Sequence, residues 1–163
     1  MRFGVKSDTF FQISGTEVGC LSMKTLMGTY NQSMDVKGRM SFPAKLREAL
    51  GEQFIITRGI DGCLFVYSQE DFDRKNEQLK NLPMKASKDF QRFFTGGATV
   101  AEPDKQGRIL VPAALRTWAG LEKDIIVLGV NDRCEIWSKE KWEQWGDSID
   151  SDALLEALEG VGF

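Results

Sequence analysis

The chain carries one stretch twice. Asp35-Val-Lys-Gly-Arg-Met-Ser-Phe-Pro-Ala-Lys-Leu-Arg47 returns as Asp104-Lys-Gln-Gly-Arg-Ile-Leu-Val-Pro-Ala-Ala-Leu-Arg116. The skeleton Asp-x-x-Gly-Arg-x-x-x-Pro-Ala-x-Leu-Arg matches at every fixed position, which makes chance a poor explanation. The echo continues downstream: Gly51 answers to Gly120, Gly59 to Gly129, Tyr67-Ser68 to Trp137-Ser138, and Phe72 to Trp142. Two copies of one unit of about 50 residues fit these matches, and such duplication constrains the fold before any local pattern does. A unit that short has a marginal core, so it must lean on its twin or on other subunits.

Charge distribution matters more here than charge total. A formal net charge of -3 argues, taken alone, against nucleic acid, because phosphate binding needs a positive footprint. The first copy of the repeat, however, holds Lys37, Arg39, Lys45 and Arg47 against one acid, Asp35. The second holds Lys105, Arg108 and Arg116 against Asp104, while the stretch from Asp147 to Glu159 has five acids and no base. The chain has no histidine, which removes Ser-His-Asp and Cys-His catalysis and nearly all zinc sites. Its three cysteines, Cys20, Cys63 and Cys134, lack CxxC spacing and form an odd count, pointing to a reducing compartment. No residue pattern asks for a cofactor or a metal.

Residues 1–26 look unlike the rest. They lack the sustained apolar run of a signal peptide. They read either as a mobile extension or as upstream codons before a start at Met23 or Met27. The first repeat spans 27–80, a connector 81–95, the second repeat 96–145, and an acidic tail 146–163. Within the first repeat, Gly28 to Met34 predicts a strand anchored by Tyr30, and Asp35 to Gly38 a turn. Arg39 to Phe42 predicts a short strand, with Arg39 and Ser41 facing one way and Met40 and Phe42 the other. Pro43 opens a helix lined by Leu46, Ala49 and Leu50 and ended by Gly51. Phe54 to Thr57 and Cys63 to Tyr67 form a hairpin, and Gln69 to Leu79 a helix with Phe72 inward. The second repeat follows the same plan, with strands at Thr99 to Glu102 and Arg108 to Val111, a helix at Pro112 to Trp118, a hairpin from Ile125 to Trp137, and a helix at Lys139 to Trp145. Met84 to Phe94 in the connector is helical, with Phe90, Phe93 and Phe94 clustered as packing. Asp150 to Leu158 is a short last helix or a frayed end.

The repeated loop admits two chemistries. Lysine and arginine around a glycine turn can present cations at a protrusion that fits a DNA groove, since arginine bonds guanine or phosphate in bidentate fashion. The DNA-binding candidates are then Lys37 and Arg39 in the first copy, and Lys105 and Arg108 in the second. Surface cations in turns are also common and idle. Gly38 and Gly107 serve backbone geometry, and Asp35 and Asp104 order the loop by accepting its N–H groups or by holding the neighbouring arginine. Arg47 and Arg116, on helices, are open between an intramolecular ion pair and a phosphate contact. As a pair of catalytic carboxylates, Asp35 and Asp104 lack a third catalytic group, so the chain reads as no enzyme.

Met27-Gly-Thr-Tyr-Asn-Gln-Ser-Met-Asp-Val-Lys-Gly-Arg39, with Pro43-Ala-Lys-Leu-Arg47 after it, resembles the opening of the MraZ family of bacterial transcriptional regulators. The second copy resembles that family's second AbrB/SpoVT-type half, and the likeness runs from about Met27 to Trp145. It implies a mixed α+β, β-rich fold of two swapped-hairpin β-barrel units related by a pseudo-two-fold axis, with subunits joined in a ring. It implies binding of double-stranded DNA at direct repeats upstream of the division and cell-wall gene cluster, the family's own promoter included, usually as a repressor. A cytoplasmic, nucleoid-associated homo-oligomer with no membrane segment follows from the same likeness. The family's motif arginines map onto Arg39 and Arg108 and its loop lysine onto Lys37. The second copy departs from the pattern, with Lys105-Gln106 where the first has Val36-Lys37, so the two halves need not contact DNA equally. Two rival readings stand beside this one: an oligomeric module whose loops dock acidic proteins, and an AbrB-like antitoxin or transition-state regulator.

Overall fold

A computed structural model of the chain describes residues 25–163. Residues 1–24, and with them most of the expected extension, lie outside the described residues. Leu26 does not belong to an extension: it is buried, and its backbone exchanges hydrogen bonds of 2.8 and 2.9 Å with Asn131.

The duplicated pattern folds into eight strands. In chain order they are β1 (Thr29–Ser33), β2 (Arg39–Ser41), β3 (Phe54–Arg58), β4 (Leu64–Ser68), β5 (Thr99–Ala101), β6 (Arg108–Leu110), β7 (Asp124–Val130) and β8 (Arg133–Ser138). Six of them form one antiparallel sheet in the order β1-β7-β8-β4-β3-β5, and β2 pairs with β6 as a separate ribbon. Each repeat thus keeps its own hairpin, β3–β4 or β7–β8, and sends its first strand to the other repeat's hairpin. Tyr30 of β1 sits opposite Val127, and Val100 of β5 opposite Ile55. The strand order is the same read from either repeat, the signature of a pseudo-two-fold axis between β4 and β8. The mixed, β-rich swapped-hairpin fold is therefore present.

Six helices complete the described residues: α1 (Ala44–Leu50), α2 (Gln69–Leu79), α3 (Met84–Phe90), α4 (Ala113–Ala119), α5 (Lys139–Asp147) and α6 (Ser151–Glu159). Pro43 and Pro112 occupy the cap positions, one residue before the first helical turn. Leu46 and Leu50 of α1, four residues apart, point to the core. Ala49, expected on that face, is exposed, because it lies at the margin of the stripe that Leu46 and Leu50 define. The connector continues α3 into a π-helical turn, Gln91–Thr95. The expected clustering of Phe90, Phe93 and Phe94 is present: Phe94 is buried in a satellite core, and Phe90 and Phe93 pack against it. Phe94 stacks on Phe72 at 5.2 Å in one satellite core, while Phe93 meets Trp118 of the second repeat at 5.2 Å. Asp150 caps α6 through its side chain, so the tail end is a helix, although none of its residues is buried. No helix among the described residues is long and apolar enough to cross a membrane.

The main core lies between the six-stranded sheet and a lid made of the ribbon with α1 and α4. Met40 and Ile109 reach down from the ribbon, each 1% exposed, onto Ile56, Val66, Val127 and Ile136. The far face of the sheet is covered by α2 and the π turn over Ile55 and Tyr67, and by Trp142 over Trp137. Cys63 and Cys134 are free and fully buried, and burial pushes both thiols up to about 12, which leaves them protonated and inert at neutral pH. Truncating Ile109 to Ala removes contacts at the seam between ribbon and sheet. It should cost about 2–5 kcal/mol, whereas Leu110→Ala on the outer side should stay within about 0.5 kcal/mol; urea unfolding of the two variants checks the contrast.

Candidate nucleic-acid interface

The two hairpin tips have the same bond pattern. Asp35 Oδ1 accepts from the backbone N–H groups of Lys37 and Arg39, both at 2.9 Å, and its Oδ2 accepts from Arg39 Nε at 3.3 Å. Asp104 does the same for Gln106 and Arg108, at 2.9, 2.9 and 3.2 Å. Each aspartate therefore both closes the turn and aims the arginine. These bonds, led by the backbone N–H of Arg39 or Arg108, hold both carboxyls below the ordinary value of 3.8. Gly38 and Gly107 follow with φ of 91° and 79°, a region L side chains resist.

The tips are locked to the opposite repeats. Phe42 N–H donates to Gly107 O at 3.0 Å, and Val111 N–H donates to Gly38 O at 2.9 Å. The helix arginines close over the same glycines. A Cβ placed on Gly107 would lie 2.7 Å from Arg47 Cζ, and one on Gly38 would lie 2.8 Å from Arg116 Cζ. Arg47 Nε donates to Phe42 O at 2.9 Å, while Arg116 Nε is buried with no acceptor among the described residues. Neither arginine joins an ion pair with a described residue, so the intramolecular pairing considered from the sequence is absent there. Sequence reasoning missed this crossed clamp. Its only trace is that the helix arginine and the turn glycine recur together in both copies.

Period-two alternation does the rest. With Met40 and Ile109 buried, Arg39, Ser41, Arg108 and Leu110 face outward on one side of the ribbon. Register pairs Arg39 with Leu110 and Ser41 with Arg108, so the two arginines lie diagonally across a single small face. Their side chains are 43% and 41% exposed, and only Nε of each is bound by its aspartate. The Nη groups of both remain available to an outside acceptor. Lys37 and Lys105 are exposed on the flanking tips, beside Val36 at 96% exposure. The strand periodicity was enough to choose the outward face, but nothing in it said that β2 would pair with β6 and bring the arginines together. Among the described residues no group of three His, Cys, Asp or Glu side chains could hold a metal ion.

Comparison with known proteins points the same way. A family model described as "MraZ protein, putative antitoxin-like" matches residues 25–93 and again 94–159. A protein of Lachnoclostridium phytofermentans named transcriptional regulator MraZ is 55% identical over 139 residues, covering 84% of this chain and 99% of its own length. One of the same name from Thermoanaerobacter sp. (strain X514) is 53% identical over 127 residues, covering 77% and 89%. The one from Acetivibrio thermocellus is 45% identical over 140 residues, covering 83% and 98%.

Two outcomes test the geometry of the tips. Gly107→Ala forces a side chain into a left-handed turn under Arg47 and should cost about 1–3 kcal/mol, read as a lowered midpoint in chemical unfolding. Because the native Asp35 and Asp104 carboxyls titrate below their unfolded values, the order they give is present above about pH 4 and disappears as pH falls through the lowered native values. Amide shifts of Lys37, Arg39, Gln106 and Arg108 followed by NMR should move together in that acid window and stay still above it.

Proposed function

Because this chain belongs to the MraZ family, we propose that it is a DNA-binding transcriptional regulator that lays its β2–β6 ribbon into the major groove of its operator. The observation that carries this reading is the shared outward face of Arg39 and Arg108, each anchored by an aspartate at Nε and open at Nη. A two-stranded ribbon has the width the major groove admits. Arginines spaced diagonally on it reach base edges or phosphates, and Lys37 and Lys105 on the tips add phosphate contacts. Asp35, Gly38, Asp104 and Gly107 set the shape of the tips. The site performs no chemistry and uses no cofactor.

The finer biology follows the resemblance. The protein works as a homo-oligomer, a ring in which many copies of an acidic subunit bring their basic ribbons to one side. Weak contacts to direct-repeat boxes then combine through effective concentration. The boxes lie upstream of the division and cell-wall genes, its own promoter among them, and binding represses them from the cytoplasm. The family description as antitoxin-like keeps a second regulatory context open, in which the same ribbon serves a toxin–antitoxin promoter.

A gel shift with the gene's own upstream region tests the reading. Arg39→Ala should abolish or greatly weaken the shift while size-exclusion chromatography gives the wild-type elution; unchanged retardation counts against the ribbon as the interface. In a salt series, three engaged subunits that each neutralise two phosphates give a log–log slope near about -5. A flat response would instead favour an interaction module for acidic proteins.

A further inference from the structure

The two ends of the ribbon are alike in backbone and unlike in charge. At the end formed by the first hairpin, Arg116 borders a cleft with Asp35, Glu122 and Lys123, and Lys37 and Arg39 belong to the same turn as Asp35. That end carries four cations against two acids. At the other end, Arg47 borders a cleft with Glu48, Glu52, Glu102 and Asp104, and Lys105 and Arg108 belong to the same turn as Asp104. There, three cations face four acids. The excess comes from Glu48 and Glu102, whose counterparts in the other copy are the uncharged Thr117 and Ser33, while Glu52 and Glu122 each add one acid to their own cleft.

The clamping arginines differ in the same sense. Arg47 Nε is satisfied by Phe42 O at 2.9 Å, whereas Arg116 Nε is buried with no acceptor among the described residues, so Arg116 is the less firmly tied of the two. A phosphate would meet its Nη groups, not the buried Nε. A phosphate approaching Arg47 comes near the carboxylates of Glu48, Glu52, Glu102 and Asp104, whose repulsion opposes the pull of the cations at that end. A phosphate approaching Arg116 meets Lys123 beside it, exposed and in no ion pair with a described residue.

We propose that, of the two clamping arginines, only Arg116 takes a DNA phosphate, together with Lys123 at the first-hairpin end of the ribbon, while Arg47 serves solely to brace the second hairpin. This rests on the DNA-binding reading and adds a direction to it. A nearly two-fold ribbon that grips phosphate more strongly at one end fixes which way round each subunit sits on the duplex, as a run of non-palindromic boxes requires.

The test is a fluorescence-anisotropy titration of the full-length oligomer on the upstream fragment across a salt series. Arg116→Gln and Lys123→Gln should each weaken binding roughly tenfold or more and reduce the magnitude of the salt slope by about 0.9 for every engaged subunit. Arg47→Gln should lower the melting temperature and leave the slope at its wild-type value. Lys123 is exposed and outside the clamp, so its variant reports on DNA without disturbing the hairpin. An equal slope loss in Arg47→Gln, or no slope loss in Arg116→Gln and Lys123→Gln, overturns the proposal. Absence of any salt-dependent binding by the wild type overturns the DNA reading itself. Wild-type binding that is lost in Arg39→Ala yet insensitive at Arg116 and Lys123 removes only the directional claim.

Discussion

Two crossed backbone hydrogen bonds, from Phe42 to Gly107 and from Val111 to Gly38, hold this molecule in its shape. They tie each hairpin tip to the strand end of the other repeat, so neither tip has a position without its twin. The arginine of each following helix covers the same glycine, and a side chain there would push it away. Turn geometry, inter-repeat contact and the aim of the exposed arginines are therefore one structural problem. Glycine solves it because only a residue without Cβ takes the left-handed turn and also lets a guanidinium close on it.

The ribbon stands on the core for a related reason. Three-residue strands have too few ladder bonds to persist alone. What keeps them in place is the burial of Met40 and Ile109 against the central strands, with Leu46 and Leu115 closing the sides. Strand exchange between the repeats joins both halves into one hydrophobic unit, removing the difficulty that each is too small to be stable alone. Many of its pairings, such as Tyr30 with Val127, join residues far apart in sequence, the kind of topology that folds slowly.

Much of this was legible in the residues. The duplication, the glycine turns, the alternation that turns Arg39 outward and the ordering of the main elements all follow from local rules. The partner choice of the strands does not. Alternation says which side of β2 is apolar, but the decision to pair it with β6 comes from tertiary packing, and the diagonal placement of Arg39 and Arg108 comes with it. The helix arginines were ambiguous for a similar reason: charge suggested an ion pair or a phosphate, and their contact with a glycine across the axis has no charge signature. The clustering of Phe90, Phe93 and Phe94 was legible as packing, but the π turn at Gln91–Thr95 and the reach of Phe93 to Trp118 of the second repeat were not, because periodicity does not anticipate a local change of winding. Leu26 looked like tail because its strand-like pairing with Asn131 depends on a hairpin more than a hundred residues away.

Joining the two halves in one polypeptide has a consequence for how such a protein can change. In a dimer of identical chains every substitution appears twice, and both sides of the axis must tolerate it. Here Glu48 and Glu102 stand where their symmetry mates are Thr117 and Ser33, each half having diverged while the backbone kept its symmetry. Covalent linkage lets a symmetric scaffold acquire a polarity of charge, giving a front and a back to a fold that geometry alone would leave reversible.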